Sequence, residues 1–386
     1  MEIKILTIIG ARPQIIKAAA ISRTIKNGFD HQIQEILVHT GQHYDANMSD
    51  VFFKEMGIPE PHHNLNVGSM SHAAQTAKMM LGIENLINSE KPNYLLVYGD
   101  TNSTLAGALS AAKLHLPVIH VEAGLRSYNK SMPEEINRII TDHASTLLFT
   151  PTKTGFQNLI KEGFSNTDVQ KADVDHPAIF HCGDVMLDNS LFFKEKAQKD
   201  SQILQKMNLK PNEFVLCTIH RDNNTDIKER LTNIVRALLE ISQKNDIQIV
   251  LPLHPRTAKK LPEMLDSHLY QDFTTAVGIK ITEPVSFFDM IQLESNSKLI
   301  MTDSGGVQKE AFFFKKPCLI LRSETEWVEI VDADCAKIVD ANREKIIENF
   351  NLYLNKQDLF FPDIFGNGKA AEFICQKIIK HGKQNY

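Results

Sequence analysis

Short apolar strands alternate with helical segments along most of this chain, and that alternation limits the fold more than any other feature. Strands are predicted at residues 3–9, 34–39, 94–98, 117–121, 146–150 and 178–182, and again at 214–219, 247–251, 298–301 and 318–321. Helices are predicted at 14–26, 73–89, 104–114, 133–144, 154–162, 227–243 and 307–314. This order is typical of an α/β fold whose parallel sheets are covered on both faces.

The alternation of strands and helices ends with the strand at 178–182 and restarts with the strand at 214–219. This predicts two doubly wound domains that face one another. The polar, poorly periodic stretch at 165–176 is expected to be a surface loop, and Gly183-Asp184 follows the last strand of the first half. We therefore place the first domain at residues 1–184 and the second at residues 185–366, followed by a terminal helix at 370–380.

A strand-to-helix turn in the second half has the features of a phosphate-binding site. The sequence Thr302-Asp303-Ser304-Gly305-Gly306 follows an apolar strand and precedes a helix. Glycines let the backbone approach a ligand closely, and the first N–H groups of a helix point at that ligand. Glu310, about one turn into the helix, could accept hydrogen bonds from ribose hydroxyls. The alternative is an ordinary turn in which Ser304 caps the helix.

Composition excludes several classes of partner. The formal net charge of −5 gives no reason to expect nucleic acid or an anionic membrane surface as partner. The apolar runs are shorter than the about 18 residues that span a bilayer. The first residues lead directly into a strand without a signal peptide, and five scattered cysteines lack paired spacing, so we expect a cytoplasmic protein with structural thiols.

Charged side chains gather after the predicted strands, where ligands bind in open α/β sheets. The basic candidates for binding an anionic diphosphate are Arg12, Lys17, His220, Arg221, His254 and Arg322. The acidic candidates for proton transfer are Asp100, Glu122 and Glu134. Each has a plainer alternative. The basic residues could be solvated surface charges, Asp100 could cap a helix, Glu134 could stabilise a helix dipole, and His254 could be a core histidine.

Other ligand-binding motifs are missing from the sequence. It has no Gly-x-x-x-x-Gly-Lys-Ser/Thr phosphate loop and no Gly-x-Gly-x-x-Gly after a strand. No Asp-x-Asp or histidine cluster in the sequence suggests a required metal. We therefore expect neither a metal nor a cofactor. Asp142 and His143 adjoin within a predicted helix and are interpreted as structural.

Taken together, these segments resemble the non-hydrolysing UDP-N-acetylglucosamine 2-epimerases. The stretches that carry the resemblance follow the family order and span nearly the whole chain: Gly-Ala-Arg-Pro-Gln-Ile-Ile-Lys (10–17), Thr-Gly-Gln-His (40–43), Gly-Asp-Thr-Asn-Ser-Thr-Leu-Ala (99–106), His-Val-Glu-Ala-Gly-Leu-Arg-Ser (120–127), Pro-Glu-Glu-Ile-Asn-Arg (133–138), Ile-His-Arg (219–221), Thr-Asp-Ser-Gly-Gly-Val-Gln-Lys-Glu-Ala (302–311) and Lys-Pro-Cys-Leu-Ile-Leu-Arg (316–322).

The resemblance implies two Rossmann-like domains of the glycosyltransferase-B type, with a UDP-sugar in the interdomain cleft. It also implies that residues 367–386 form a helix returning to the N-terminal domain. The family reaction inverts C-2 of the sugar: a base removes the C-2 proton, UDP leaves to give a bound glycal, and UDP adds back as a proton reaches the opposite face. The expected partners are this UDP-sugar and a second copy of the chain, as a homodimer working in polysaccharide biosynthesis.

Site roles follow from the matching positions. The implied catalytic residues are Asp100, Glu122, Glu134 and His220. The implied substrate-binding residues are Arg12, Lys17, His43, Arg138, Arg221, Ser304, Gly305, Gly306, Glu310 and Arg322. Which carboxylate removes the proton and which returns it stays open.

Departures from the family pattern leave open which UDP-sugar is the substrate. The usual Arg-x-x-Thr-Glu-Arg-Pro-Glu reads Arg-Ser-Glu-Thr-Glu-Trp-Val-Glu from Arg322, so Trp327 and Val328 replace Arg and Pro. The sequences at 41–45 and 132–138 also resemble those of the family members that act on UDP-2,3-diacetamido-2,3-dideoxyglucuronate. A hydrolysing 2-epimerase and a glycosyltransferase of the same fold are the alternatives. The Arg12-Pro13-Gln14 tract favours the non-hydrolysing type, since hydrolysing relatives usually read Arg-Ala-Asp there.

Overall fold

The computed structural model describes residues 2–41, 57–165, 172–356 and 358–382. The chain divides into two compact units: unit 1 contains residues 1–189 and 363–386, and unit 2 contains residues 190–362. Each unit has its own parallel sheet, as the alternation of strands and helices predicts.

The described part of unit 1 contains a seven-stranded sheet in the order β3-β2-β1-β4-β5-β6-β7. Its strands are β1 (Ile3–Ile9), β2 (Ile33–His39), β3 (His63–Asn64), β4 (Tyr94–Tyr98), β5 (Val118–Val121), β6 (Leu147–Thr150) and β7 (Ala178–His181). The helices between and after them are α1 (Arg12–Thr24), continued by a π-helical turn (Ile25–Phe29), α2 (His72–Glu90), α3 (Asn102–Lys113), α4 (Pro133–His143), α5 (Lys153–Lys161) and α6 (Val185–Asp200), of which residues 185–189 belong to unit 1 and residues 190–200 to unit 2.

Unit 2 contains a six-stranded sheet in the order β10-β9-β8-β11-β12-β13, counted over its described residues. Its strands are β8 (Phe214–Thr218), β9 (Gln248–Pro252), β10 (Ile279–Thr282), β11 (Leu299–Thr302), β12 (Cys318–Ile320) and β13 (Ala336–Ile338). Its helices are α7 (Ile203–Lys206), α8 (Asp222–Thr225), α9 (Lys228–Lys244), α10 (Pro255–Met264), α11 (Ser267–Thr275), α12 (Phe287–Asn296), α13 (Gly305–Phe313), α14 (Val328–Asp332) and α15 (Arg343–Asn355).

Strand order identifies the edge at which each unit can bind a ligand. The order reverses between β1 and β4 in unit 1, and between β8 and β11 in unit 2. In open α/β sheets the crevice outside the carboxyl ends of such strands accepts ligands. The residues after β1, β4, β8 and β11 therefore lie at the two switch points, and they include most of the predicted site residues.

The last helix, α16 (Ala370–Gly382), belongs to unit 1 and packs against α1. Its start is fixed by Asp188 of α6, whose carboxylate accepts hydrogen bonds from the N–H groups of Ala370 at 3.2 Å and Ala371 at 2.8 Å. Ile374 and Ile378 are fully buried on its inner face. Helix α16 is therefore an integral part of the unit 1 core.

Several elements differ from the sequence-based prediction. Among the helices that the structure describes, eight were not predicted, namely α6, α7, α8, α10, α11, α12, α14 and α15, and neither were the short strands β3, β10 and β13. Helix α6 lacks a strong apolar stripe, and two- to four-residue strands give little periodicity. Helix α13 begins at Gly305, two residues before the predicted start at Val307. Within the described ranges, no helix is both long enough and apolar enough to cross a membrane.

Candidate active site

The loop after β1 in unit 1 is held by the buried side chain of Gln14. Its Oε1 accepts hydrogen bonds from the N–H groups of Gly10 at 2.9 Å and Ala11 at 3.2 Å. Its Nε2 donates to the carbonyl oxygen of Tyr98 and to Thr104 Oγ1, both at 2.9 Å. Gln14 thus ties the loop after β1 to the loop after β4, on both sides of the switch point.

Gly10 is required by the close approach of two neighbouring hydroxyls. Thr40 Oγ1 and Ser103 Oγ are buried and hydrogen-bond to each other at 2.8 Å. A Cβ added at Gly10 would lie 2.1 Å from Ser103 Oγ and 2.2 Å from Thr40 Oγ1. The loop can pass over this pair only without a side chain.

We expect Gly10→Ala to lower the free energy of unfolding by about 1–3 kcal/mol, the usual cost of forcing extra atoms into a packed interior. Urea denaturation followed by circular dichroism measures the change. Gly28→Ala is the matched control, because a Cβ added there meets no atom within 4 Å. Equal losses in the two variants would contradict this account of Gly10.

Asp100 follows β4 and is held by helix α4. Its carboxylate oxygen Oδ2 accepts a hydrogen bond from Arg138 Nη2 at 2.5 Å, and its carbonyl oxygen accepts one from Asn137 Nδ2 at 2.9 Å. Arg138 also donates to the buried Glu135 at 2.9 Å. Burial alone would lower the pKa of Arg138, but Asp100 and Glu135 together raise it. The guanidinium is therefore a fixed cation beside Asp100.

Glu122 follows β5 and forms a largely buried ion pair with Lys17 of α1. Both groups lie against Gly99, whose added Cβ would be 3.2 Å from Lys17 Nζ and 3.4 Å from Glu122 Oε2. The backbone of Glu122 has φ +73°, a left-handed conformation that non-glycine residues adopt at a cost. Glu122 is therefore held in a special conformation beside the residue that precedes Asp100.

Asp303 follows β11 and organises the carboxyl edge of the unit 2 sheet. Its fully buried carboxylate accepts hydrogen bonds from the N–H groups of His220 and Arg221, at 3.1 and 3.0 Å, and from Asn224 Nδ2 at 3.1 Å. His220 Nδ1 lies 3.0 Å from the same carboxylate. Burial alone would raise the pKa of Asp303, but His220 and these donors hold it below its ordinary value.

The next three residues begin helix α13. Ser304 is its N-cap and accepts a hydrogen bond from the N–H of Val307 at 3.5 Å, so the capping interpretation of Ser304 is confirmed. A Cβ added at Gly305 would lie 2.2 Å from Glu326 Oε1, whereas one added at Gly306 would meet only Ser304 Oγ, at 3.8 Å. The backbone is thus packed at Gly305 and open at Gly306, where N–H groups of the first helical turn can reach an anion.

A segment after β12 supports this turn. Arg322 Nη1 donates to Glu326 Oε2 at 2.9 Å, and Trp327 Nε1 donates to the carbonyl oxygen of Gly305 at 3.0 Å. The indole of Trp327 is 4% exposed, and Lys309 Nζ lies 4.2 Å from its ring centroid. The tryptophan that replaces the family's arginine therefore anchors the start of α13.

Glu310, the predicted ribose-binding residue, lies beside a second carboxyl group. Glu294 of α12 is 1% exposed and lies near Glu310. Burial and the charge of Glu310 raise the pKa of Glu294 well above its ordinary value.

The remaining predicted residues are mostly at the surface. Arg12, Glu134, Arg221 and His254 are exposed, and the side chain of His220 is 45% exposed. His254 caps α10, where its Nδ1 accepts a hydrogen bond from the N–H of Arg256 at 3.3 Å, and it is not a core histidine. His43 lies outside the described residues.

Sequence reasoning missed several residues that hold the site together. They are Gln14, His120, Glu135, Asp142, Asn224 and Asp303. Asp142 was interpreted as structural together with the adjoining His143, whereas its partners in the structure are His120, Gly124 and Arg126. Gln14, His120, Glu135 and Asp303 lie inside the family-like stretches, but Asp142 and Asn224 lie outside them and bind residues that are distant in the chain.

The chain is similar to known proteins over nearly its full length. A sequence profile described as UDP-N-acetylglucosamine 2-epimerase matches residues 27–379. The UDP-N-acetylglucosamine 2-epimerase homolog of Methanococcus maripaludis is 46% identical, over 97% of this chain and 98% of its own. The UDP-2,3-diacetamido-2,3-dideoxy-D-glucuronate 2-epimerase of Pseudomonas aeruginosa is also 46% identical, over 98% of this chain and 99% of its own.

Solved structures agree with this similarity. The Methanocaldococcus jannaschii UDP-GlcNAc 2-epimerase, crystallised with UDP-GlcNAc and UDP, is 41% identical and has a TM-score of 0.83, over 97% of this chain and 99% of its own. The predicted fold of two Rossmann-like units of the glycosyltransferase-B type is confirmed. By sequence and by structure, the chain belongs to the UDP-N-acetylglucosamine 2-epimerase family.

Proposed function

We propose that this chain inverts C-2 of a UDP-N-acetylhexosamine or of its diacetamido-uronate analogue, by eliminating UDP and adding it back. The observation that carries the proposal is the pair of carboxylates after adjoining strands of unit 1. Asp100 and Glu122 are each held by a cation, Arg138 and Lys17 respectively, at the carboxyl edge of the sheet. Two positioned carboxylates are what proton removal on one face and proton return on the other require.

Each step conserves atoms and electron pairs. In elimination, a carboxylate takes the C-2 proton, the C-2–H electron pair forms the C-1=C-2 double bond, and the C-1–O bond breaks towards the diphosphate. In the addition step, a diphosphate oxygen attacks C-1. The electron pair of the C-1=C-2 double bond forms the new C-2–H bond with a proton that a second group delivers to the other face of C-2. Asp100, Glu122 and the exposed Glu134 supply the proton-transfer groups in this proposal.

Unit 2 supplies the nucleotide-binding residues in this proposal. The open N-terminus of α13 at Ser304, Gly305 and Gly306 offers N–H donors to the diphosphate, and the dipole of the helix favours negative charge there. His220 is half-exposed beside Asp303 and is suited to stabilise charge that develops on departing UDP. Arg322 adds a cation beside this turn, and Glu310 is assigned to the ribose hydroxyls.

We assign the non-hydrolysing course on the Arg12-Pro13-Gln14 tract, in which Gln14 fixes the loop after β1 through four hydrogen bonds. In this course UDP stays bound until it adds back, so free sugar does not accumulate. The diacetamido-uronate is a second sugar to test because the Pseudomonas relative is named for it.

One experiment tests the proposal. The protein is incubated in deuterated water with UDP-GlcNAc, and separately with UDP-2,3-diacetamido-2,3-dideoxyglucuronate, and followed by NMR. We expect the C-2 epimer of at least one sugar, with deuterium at C-2 and without accumulation of free sugar. Free sugar with one equivalent of UDP would instead establish the hydrolysing course, and no exchange with either sugar would overturn the proposal.

A further inference from the structure

Among the described residues, the ring nitrogens of one buried histidine lie against hydrogen-bond acceptors alone. His120 of β5 is fully buried. Its Nδ1 lies 2.7 Å from Asp142 Oδ1, and its Nε2 lies 2.8 Å from the carbonyl oxygen of Gly99. A neutral imidazole has one N–H and one lone pair, so it would direct that lone pair at an oxygen. The geometry fits a ring that is protonated on both nitrogens.

Asp142 is the negative partner that makes such a buried cation tolerable. Its Oδ2 lies 2.7 Å from Arg126 Nη1 and accepts a hydrogen bond from the N–H of Gly124 at 3.1 Å. Burial alone would raise the pKa of Asp142, but His120 and Arg126 hold it below its ordinary value. Arg126 in turn pairs with Glu162 at 2.6 Å, so the charges of the network balance.

These contacts fix the turn that carries Glu122. Asp142 binds His120 on one side of that turn and Gly124 on the other. Between them, the N–H groups of Glu122 and Ala123 both donate to the carbonyl oxygen of Phe149 at 3.0 Å. The left-handed conformation of Glu122 is therefore held from three directions, as a strained residue requires.

The same histidine fixes the loop that carries Asp100. The carbonyl group of Gly99 belongs to the peptide that joins Gly99 to Asp100, so the bond from His120 Nε2 sets the orientation of that peptide. The N–H of Gly99 donates to the carbonyl oxygen of Val121 at 3.0 Å, which binds the loop to β5 as well. The side chain of His120 thus contacts the loop that carries Asp100 directly, and it is joined to the turn that carries Glu122 through Asp142.

We propose that His120 is a positioning residue for the epimerisation: a doubly protonated imidazole, held by Asp142, that sets the relative placement of Asp100 and Glu122. This inference rests on the proposed function for its kinetic part. Its structural part, the protonation of both ring nitrogens, is independent of that function.

The structural part is tested first, by ¹⁵N NMR of the imidazole nitrogens in the full chain near pH 7. The His120 signals are assigned by their loss in His120→Gln. We expect both nitrogens of His120 to carry a proton. A ring with one unprotonated nitrogen would overturn the inference whether or not the chain is an epimerase.

The kinetic part compares His120→Gln and Asp142→Asn with wild-type protein in the deuterium-exchange assay. We expect kcat to fall by about 100-fold, the scale of an ångström-sized misplacement of catalytic groups. KM and the affinity for UDP should stay within about twofold, since neither change touches the groups proposed to bind nucleotide. His176→Gln is the control, because the side chain of His176 is 75% exposed and its ion pair is with Asp173, which does not belong to this network. Unchanged kcat in both variants, or a parallel loss of UDP affinity, would overturn the positioning role.

Chemical rescue separates positioning from simple filling of space. In His120→Gly, added imidazole should restore exchange in a saturable manner, because once protonated it donates from both nitrogens. 1-Methylimidazole has one methylated nitrogen and should not restore it. Equal rescue by both compounds would contradict the need for two donors. If the glycine variant does not fold, His120→Gln and Asp142→Asn still decide the question. A wild-type protein that shows no exchange rejects the proposed function and leaves the NMR result standing.

Discussion

Replacing Glu122 with glutamine is expected to lower the rate of C-2 deuterium exchange by about 100-fold or more, the usual scale for losing an acid–base group. The amide keeps the shape of the side chain but can neither accept nor return a proton at neutral pH. Affinity for UDP should remain close to that of wild-type protein, because the proposed nucleotide-binding groups are on α13 and after β8. Initial rates measured by NMR and UDP binding measured by calorimetry give both quantities.

Glu84→Gln provides the matched control for this experiment, since Glu84 is an exposed glutamate on α2. It should leave exchange unchanged. Exchange at the wild-type rate in Glu122→Gln would remove Glu122 from the proton-transfer residues and leave Asp100 and Glu134 as the remaining candidates.

Replacing Asp303 with alanine is expected to have the largest effect on unit 2. The change removes the acceptor of the N–H groups of His220 and Arg221 and one of the two bonds of the Asn224 amide, which still donates to the carbonyl oxygen of Leu321. A hydrogen bond to a charged group contributes about 1.5–3 kcal/mol, so we expect a loss of at least about 3 kcal/mol in the free energy of unfolding. UDP binding should also disappear, because the His220-Arg221 loop and the start of α13 lose their common support.

Urea denaturation measures this loss, with Asp222→Ala as the control. Asp222 is close in sequence to the same loop, but its side chain is 77% exposed and pairs with Arg256 at the surface. Such surface pairs contribute about 0–1 kcal/mol. Similar losses in the two variants would show that the buried contacts of Asp303 contribute nothing beyond those of a surface carboxylate.

The carboxylate of Asp303 is also expected to make the stability of the protein depend on pH. The pKa of Asp303 in the folded protein lies below its ordinary value, which is about 3.9 in an unfolded chain. Its contribution to stability is therefore complete above that value and is lost as the pH falls through the folded-state pKa. The stability difference between wild-type protein and Asp303→Asn should be constant near neutral pH and shrink below about pH 4. A difference that grows on acidification would have the wrong sign.

The strands and the edge that bears the site were predictable because they depend on local pattern. The run Tyr94–Tyr98 is apolar throughout, and each of its residues is buried within the sheet. Parallel strands direct their carboxyl ends to one edge, so the sequence alone predicts that Asp100 and Glu122 lie at the same edge of the sheet.

The contacts that hold those groups were not predictable, because they join residues far apart in the chain. Asp303 binds Asn224 from a position 79 residues later, and Asp142 reaches His120 across the turn from β5 to α4. Nothing local distinguishes a carboxylate that will be buried and paired from one that will be solvated. Helix α6 was missed for a related reason, since its sequence lacks the periodic apolar face on which helix prediction depends.

Trp327 gives the protein a built-in optical reporter. It is the only tryptophan in the chain, so all indole fluorescence of the protein arises from this one side chain. Its ring donates to Gly305 at the start of α13 and lies beneath the ammonium group of Lys309. An anionic ligand that binds to the first turn of α13 would change the hydrogen bonding of the indole and the electric field around it. If nucleotide binds at the start of α13 as proposed, we expect the emission of the unlabelled protein to change with nucleotide occupancy, and stopped-flow mixing can follow that change in real time.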